Sequence, residues 1–174
     1  MKRLIGVAVL ILALQGVQAE PREARLSEGD ALLIRLRQSR DGFVVGQAVR
    51  GALRRLADPG CQAIFSDFTE SSGRRLQDVL DERGETGQGH LRRLFFYDGV
   101  EARSCRVAPG ALAFTEPGSH VVLVCNQWFR EAFATNPSKV EAAIIHESLH
   151  SLGLRENPPS SHEITARVME RCFR

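Results

Sequence analysis

The sequence predicts an α+β domain: a small, twisted, mainly antiparallel sheet packed against one buried helix, with a C-terminal helix on the far side. Three observations predict it. Leu91–Tyr97, Ala111–Thr115 and His120–Cys125 are short runs bounded by Gly, Pro or Ser, and they read as strands. The segment 137–152 is apolar on most sides, is too long for a strand and stops at Gly153, so it reads as a largely buried helix. Ser160 and Glu163 form a ready capping box for a second helix over 161–173.

The N-terminus reads as a targeting segment. Lys2 and Arg3 precede the apolar stretch Leu4–Leu14, and Val17-Gln18-Ala19 ends in a small residue. The stretch is too short to span a bilayer, so residues 1–19 are expected to be a cleaved signal peptide, leaving 20–174 as one exported domain without stable membrane insertion. Losing Lys2 and Arg3 leaves equal numbers of basic and acidic residues. No basic stripe remains to recruit nucleic acid. Cys61, Cys105, Cys125 and Cys172 match no structural zinc spacing, and their even number in an oxidising compartment predicts two disulfides, with all three pairings open.

Between these ends the elements follow in order. Ala31–Gln38 suits a strand or a short helix. Gln47–Ala57 places Val49, Leu53 and Leu56 on one helical face before Asp58-Pro59-Gly60. Cys61–Phe68 alternates weakly, as a strand does, and Thr69–Arg83 has helical spacing. Gly84–Gly89 reads as a turn. Glu116-Pro117-Gly118-Ser119 is a turn that should pair Ala111–Thr115 with His120–Cys125 antiparallel. Asn136 and Pro137 suit the N-cap and first position of the central helix, with Ser138 and Glu141 as an alternative capping box.

A buried helix has no ordinary use for two histidines and a glutamate. In His146-Glu147-Ser148-Leu149-His150 the histidines are four apart, so their rings point the same way and can ligate one Zn²⁺. Glu147 follows the first ligand and can accept a proton from water that the metal activates, then pass it to a leaving amine.

The run HESLHSLGLRE resembles the zinc helix of the metzincin metalloproteases, HExxHxxGxxH. His146, Glu147, His150 and Gly153 match, and Leu152 and Leu154 resemble the matrixin form; residue 156 is Glu rather than His. The stretch ALAFTEPGSHVVLVCNQWF before an HExxH helix is also similar to the deuterolysin-like aspzincins. Their acidic third ligand follows on the next helix, where this chain has Ser160-Ser161-His162-Glu163, and gluzincins likewise draw a Glu from a following helix. The resemblance covers about residues 111–170. It implies a zincin-like fold, one catalytic zinc ion held by His146 and His150, Glu147 as general base, and a monomeric endopeptidase acting on peptide or protein substrates. The third ligand stays open between Glu156, Glu163 and His162. The alternatives are a zinc amidase or hydrolase acting on cell-wall or other non-protein material, and a non-catalytic secreted zinc-binding protein.

Other residues receive plainer expectations. Met169 should pack in the core beside Ile164, Val168 and Cys172. Tyr97 reads as a strand residue, and His90 and His120 as surface residues. Val121–Cys125 is the expected sheet edge for an extended substrate, with Trp128 and Phe129 in a pocket or in the core.

Overall fold

In the computed structural model, which describes residues 31–174, strand β1 (Leu33–Arg35) leads into the long helix α1 (Ser39–Arg55). The expected signal segment lies outside the described residues. Four short helices follow, α2 (Pro59–Gln62), α3 (Ile64–Asp67), α4 (Leu76–Glu82) and α5 (Gly87–Arg92), before β2 (Phe95–Asp98). Helix α6 (Arg103–Val107) precedes β3 (Ala113–Phe114) and β4 (Val121–Val124), and α7 (Asn126–Thr135), α8 (Pro137–Ser151) and α9 (Ser161–Cys172) complete the described chain. No helix among the described residues is long and apolar enough to cross a membrane.

The domain is α+β, but its sheet is not mainly antiparallel. The strand order is β1-β2-β4-β3, and both β1–β2 and β2–β4 are parallel. Helices α1 to α5 connect β1 to β2, and α6 with the oppositely directed β3 connects β2 to β4, so the chain re-enters each of these strands in its original direction. Only β3 and β4, joined by the Pro117-Gly118 turn, are antiparallel, pairing Ala113 with Val124 and Phe114 with Leu123. Parallel and antiparallel strands share a two-residue period, so the pattern of apolar residues does not distinguish them.

Several local readings also change. Cys61–Phe68 forms α2 and α3 instead of a strand, because Asp58 accepts hydrogen bonds from the N–H groups of Gly60 and Cys61 and Pro59 occupies the first turn. The predicted turn at Gly84–Gly89 runs into α5, whose start is capped by Thr86 accepting from the Gly89 amide. The helix expected from Gln47 already begins at Ser39. Helix α7 takes Phe129 into the core and leaves Trp128 partly exposed. Met169 is more than a third exposed and does not join Ile164, Val168 and Cys172 in the core, because it turns to the outer face of α9.

Helix α8 crosses the centre. Val140, Ala142, Ile144, Ile145 and Leu149 are fully buried in the same core as Ala48, Val49 and Ala52 of α1. Burying each large apolar side chain contributes on the order of 1.5–3 kcal/mol, which offsets the desolvation of the polar groups on the same helix. The two helices come close at Gly51, where a Cβ would collide with the Glu141 carboxylate that Arg55 holds at 3.1 Å. The disulfides pair Cys61 with Cys172 and Cys105 with Cys125, so α9 is fastened to α2.

His90 is fully buried rather than on the surface. Its Nε2 lies 2.6 Å from Ser151 Oγ at the end of α8, and its Nδ1 lies 3.3 Å from Glu85 Oε2. Those partners let a glycine-rich segment bury an imidazole. Burial lowers its pKa to about 4 against the pull of Glu85, so the folded protein holds it neutral. An unfolded imidazole titrates near 6.5. The contribution of neutral His90 is therefore complete above that pH and is lost as the pH falls from about 6.5 towards 4. Urea unfolding of the metal-free, disulfide-intact protein at pH 7.5 and 4.5 should show a loss about 2 to 3 kcal/mol larger than in His90→Gln, whose remaining loss comes from other buried groups, His146 among them. An equal loss in the variant would assign the pH effect to other groups.

Candidate metal centre

Local sequence sets the two ends of α8. Asn136 caps the start, its Oδ1 accepting from the Lys139 amide at 3.1 Å, and Pro137 takes the first helical position. At the other end Gly153 adopts φ 107°, in the region that favours glycine. Its N–H donates to His150 O at 2.8 Å and the Leu154 N–H donates to Leu149 O at 3.3 Å, a Schellman closure that turns the chain back beneath the helix.

That turn orients the second histidine. His150 Nδ1 lies 2.8 Å from the Leu154 carbonyl, which only accepts, so Nδ1 carries the proton and Nε2 presents its lone pair. His146 is held from α9 instead: its Nδ1 lies 2.9 Å from Thr165 Oγ1, a hydroxyl that can donate or accept and so suits either tautomer. Burial, reinforced by the neighbouring His150, holds the His146 imidazole down to about 3, so it is neutral at physiological pH and free to ligate.

The two Nε2 atoms face each other at 2.9 Å. Glu156 Oε1 lies 3.7 Å from His146 Nε2 and 3.4 Å from His150 Nε2, so the three donors all fall within 4.8 Å of one another. A tetrahedral zinc ion with bonds of roughly 2.0–2.1 Å separates its donors by about 3.3 Å, and the observed distances bracket that value. The donor set is also a fit in kind, two imidazoles and one carboxylate. Glu163 and His162 lie elsewhere, in the exposed first turn of α9. Glu163 Oε2 accepts from the Ser160 amide and hydroxyl at 2.7 Å each, which also lowers its pKa.

The cluster lies in a cleft of about 410 Å³. One wall is Ala111 to Thr115, which includes the edge strand β3; Ala143 and Lys139 extend the α8 side, and Ser161 and Thr165 come from α9. The expected edge, Val121–Cys125, corresponds to β4, which has β2 on one side and β3 on the other. The strand bordering the cleft is β3. Tyr97 is a partly exposed strand residue, and neither it nor Trp128 lines the cleft.

Glu147 is buried beside the donors, and its Oε2 has no hydrogen-bond partner among the described residues. Burial pushes its pKa up to about 8; the Thr115 hydroxyl pulls against that rise, the Glu156 charge adds to it, and the Thr115 amide opposes it. An unpartnered buried carboxylate oxygen is costly, which marks this end of the cleft as built for something besides stability. Thr115 and Thr165 were not singled out from the sequence. They come from other elements, and nothing in their local spacing connects them to α8. No protein-family model, curated protein or solved structure matches this chain.

Proposed function

We propose that this chain is a zinc-binding hydrolase that cleaves an amide bond in a peptide or in peptide-bearing cell-wall material outside the cytoplasm. The observation that carries the reading is the convergence of His146, His150 and Glu156 in a cleft that Glu147 also lines. When bound, the ion supplies a Lewis acid that acidifies water and polarises a carbonyl. His146 and His150 hold it through Nε2 and Glu156 through a carboxylate oxygen. Glu147 takes the proton from the attacking water and returns it to the leaving amine. Strand β3 offers an edge along which an extended substrate can lie. Export by a signal segment at residues 1–19 belongs to the same reading and agrees with the two disulfides.

One observation favours a second reading, a non-catalytic zinc-binding protein. A carboxyl with its pKa near 8 holds its proton at neutral pH and accepts no other. A divalent charge nearby opposes that shift and favours the ionised carboxylate that hydrolysis needs.

The deciding experiment measures zinc content and amide hydrolysis on the same preparation, using a fluorogenic peptide set and purified wall peptide. Zinc should bind in equimolar amount, a chelator should remove both zinc and hydrolysis, and added zinc should restore them. A chain that binds no transition metal at micromolar concentration overturns the proposal. Equimolar zinc without hydrolysis of either substrate class selects the binding protein.

A further inference from the structure

Among the described residues that line the cleft, Lys139 is the only lysine or arginine. Its side chain is exposed, and its ammonium makes no ion pair or hydrogen bond among the described residues. Its position runs against helix energetics. Lys139 lies in the first turn of α8, the positive end of the helix dipole, where a carboxylate is favoured and a cation is not. No acidic residue shares that turn to compensate. Helix electrostatics therefore give no reason for a lysine at this position.

Lys139, Ala143, His146, Glu147 and His150 recur at helical spacing and all line the cleft. One stripe of α8 thus runs from the ammonium to the donor cluster. From residue 139 to residue 146 the helix rises roughly 10 Å, the length of about three extended residues, and the flexible lysine stem shortens that gap. The other ionisable side chains of the cleft are the imidazoles of His146 and His150 and the carboxyls of Glu147 and Glu156, all at its other end. A bound ion offsets the Glu156 charge at that end, so away from the donor cluster the cleft offers a substrate carboxylate one cationic side chain, Lys139, and pairing there leaves an amide of the same chain at the donors.

We infer that Lys139 forms a carboxylate-recognition subsite, so that the cleft takes an amide substrate with an acidic group two or three residues from the bond held at the donor cluster. This rests on the proposed function.

The test uses alanine-rich peptides carrying one Glu, or Gln in its place, moved one position at a time. Two quantities are read: kcat/KM of the zinc-loaded protein, and equilibrium binding to Glu147→Gln, which needs no turnover. Glu should be preferred over Gln by about tenfold at one position at low ionic strength, with the preference shrinking as salt is added. Lys139→Met should bring the ratio to near one. Lys139→Glu should invert it in favour of peptides carrying Lys. Equal binding of Glu and Gln peptides, or a preference that survives Lys139→Met, overturns the subsite. A binding preference that depends on Lys139 without hydrolysis keeps the subsite while the hydrolase reading fails, so the two failures are distinguishable.

Discussion

Glu147→Gln is expected to cut amide hydrolysis by about a thousandfold while the protein keeps its zinc, since general acid–base groups contribute roughly 10² to 10⁴ in rate. Glutamine has nearly the same shape, so packing in the buried position beside Thr115 is preserved. What it cannot do is take a proton from water or give one to an amine. The residue is not expected to be a ligand, because the donors that converge are His146, His150 and Glu156. The check pairs single-turnover rates with metal analysis of the same sample. Loss of rate with equimolar zinc supports the role; full activity in the glutamine variant would remove Glu147 from the chemistry. Replacing the unpartnered carboxyl by an amide should also leave the stability of the metal-free protein close to unchanged, because burial already holds that carboxyl neutral and one buried polar group replaces another. That separates a functional loss from an unfolding one.

The second large effect falls on stability. The Cys61–Cys172 disulfide has a sequence separation of 111, and closing a loop of that order constrains the unfolded chain by about 4 to 5 kcal/mol. Cys61→Ala with Cys172→Ala should lower the unfolding free energy by about that amount, a large part of the roughly 5–15 kcal/mol available to a domain. The pair closing the separation of 20, Cys105–Cys125, should matter less, at about 3 kcal/mol. The larger loss also reaches the site. Cys172 anchors the helix that carries Thr165, and Arg171 pins the same helix by donating to both carboxylate oxygens of Asp67 at 2.8 and 2.7 Å. With the disulfide gone, Thr165 holds His146 less firmly and zinc affinity should fall with stability. Urea unfolding and zinc titration of the double variant measure both. A stability loss under about 1 kcal/mol would show that the unfolded chain is already constrained by other means.

The features of the site that were legible in the sequence are those carried by one helix and its two ends. Helical geometry alone puts His146 and His150 on one face and Glu147 beside them, whatever surrounds the helix. Asn136, Pro137 and Gly153 mark the limits of α8 because caps and turns answer to local chemistry. Ser160 and Glu163 announce the start of α9 in the same way, and their mutual hydrogen bonds occupy Glu163 in the cap.

Tertiary structure decided what one segment cannot encode by itself. Glu156 is near His150 in sequence, yet its approach depends on the path the chain takes under the helix after Gly153. The parallel course of β1, β2 and β4 depends on what connects them, helices α1 to α5 in one case and α6 with the antiparallel β3 in the other, since strand composition is the same in either direction. His90 is buried because Ser151 and Glu85 meet it from different elements, and the local glycines give no sign of that. The cleft wall at Ala111 to Thr115 and the hydroxyl of Thr165 likewise reach α8 only after packing. The sequence by itself determined a helix bearing two aligned imidazoles and a carboxylate. Only the folded chain decided which acid approaches the two imidazoles, which groups orient them and which strand borders the cleft, because those relations are selected by packing rather than by spacing.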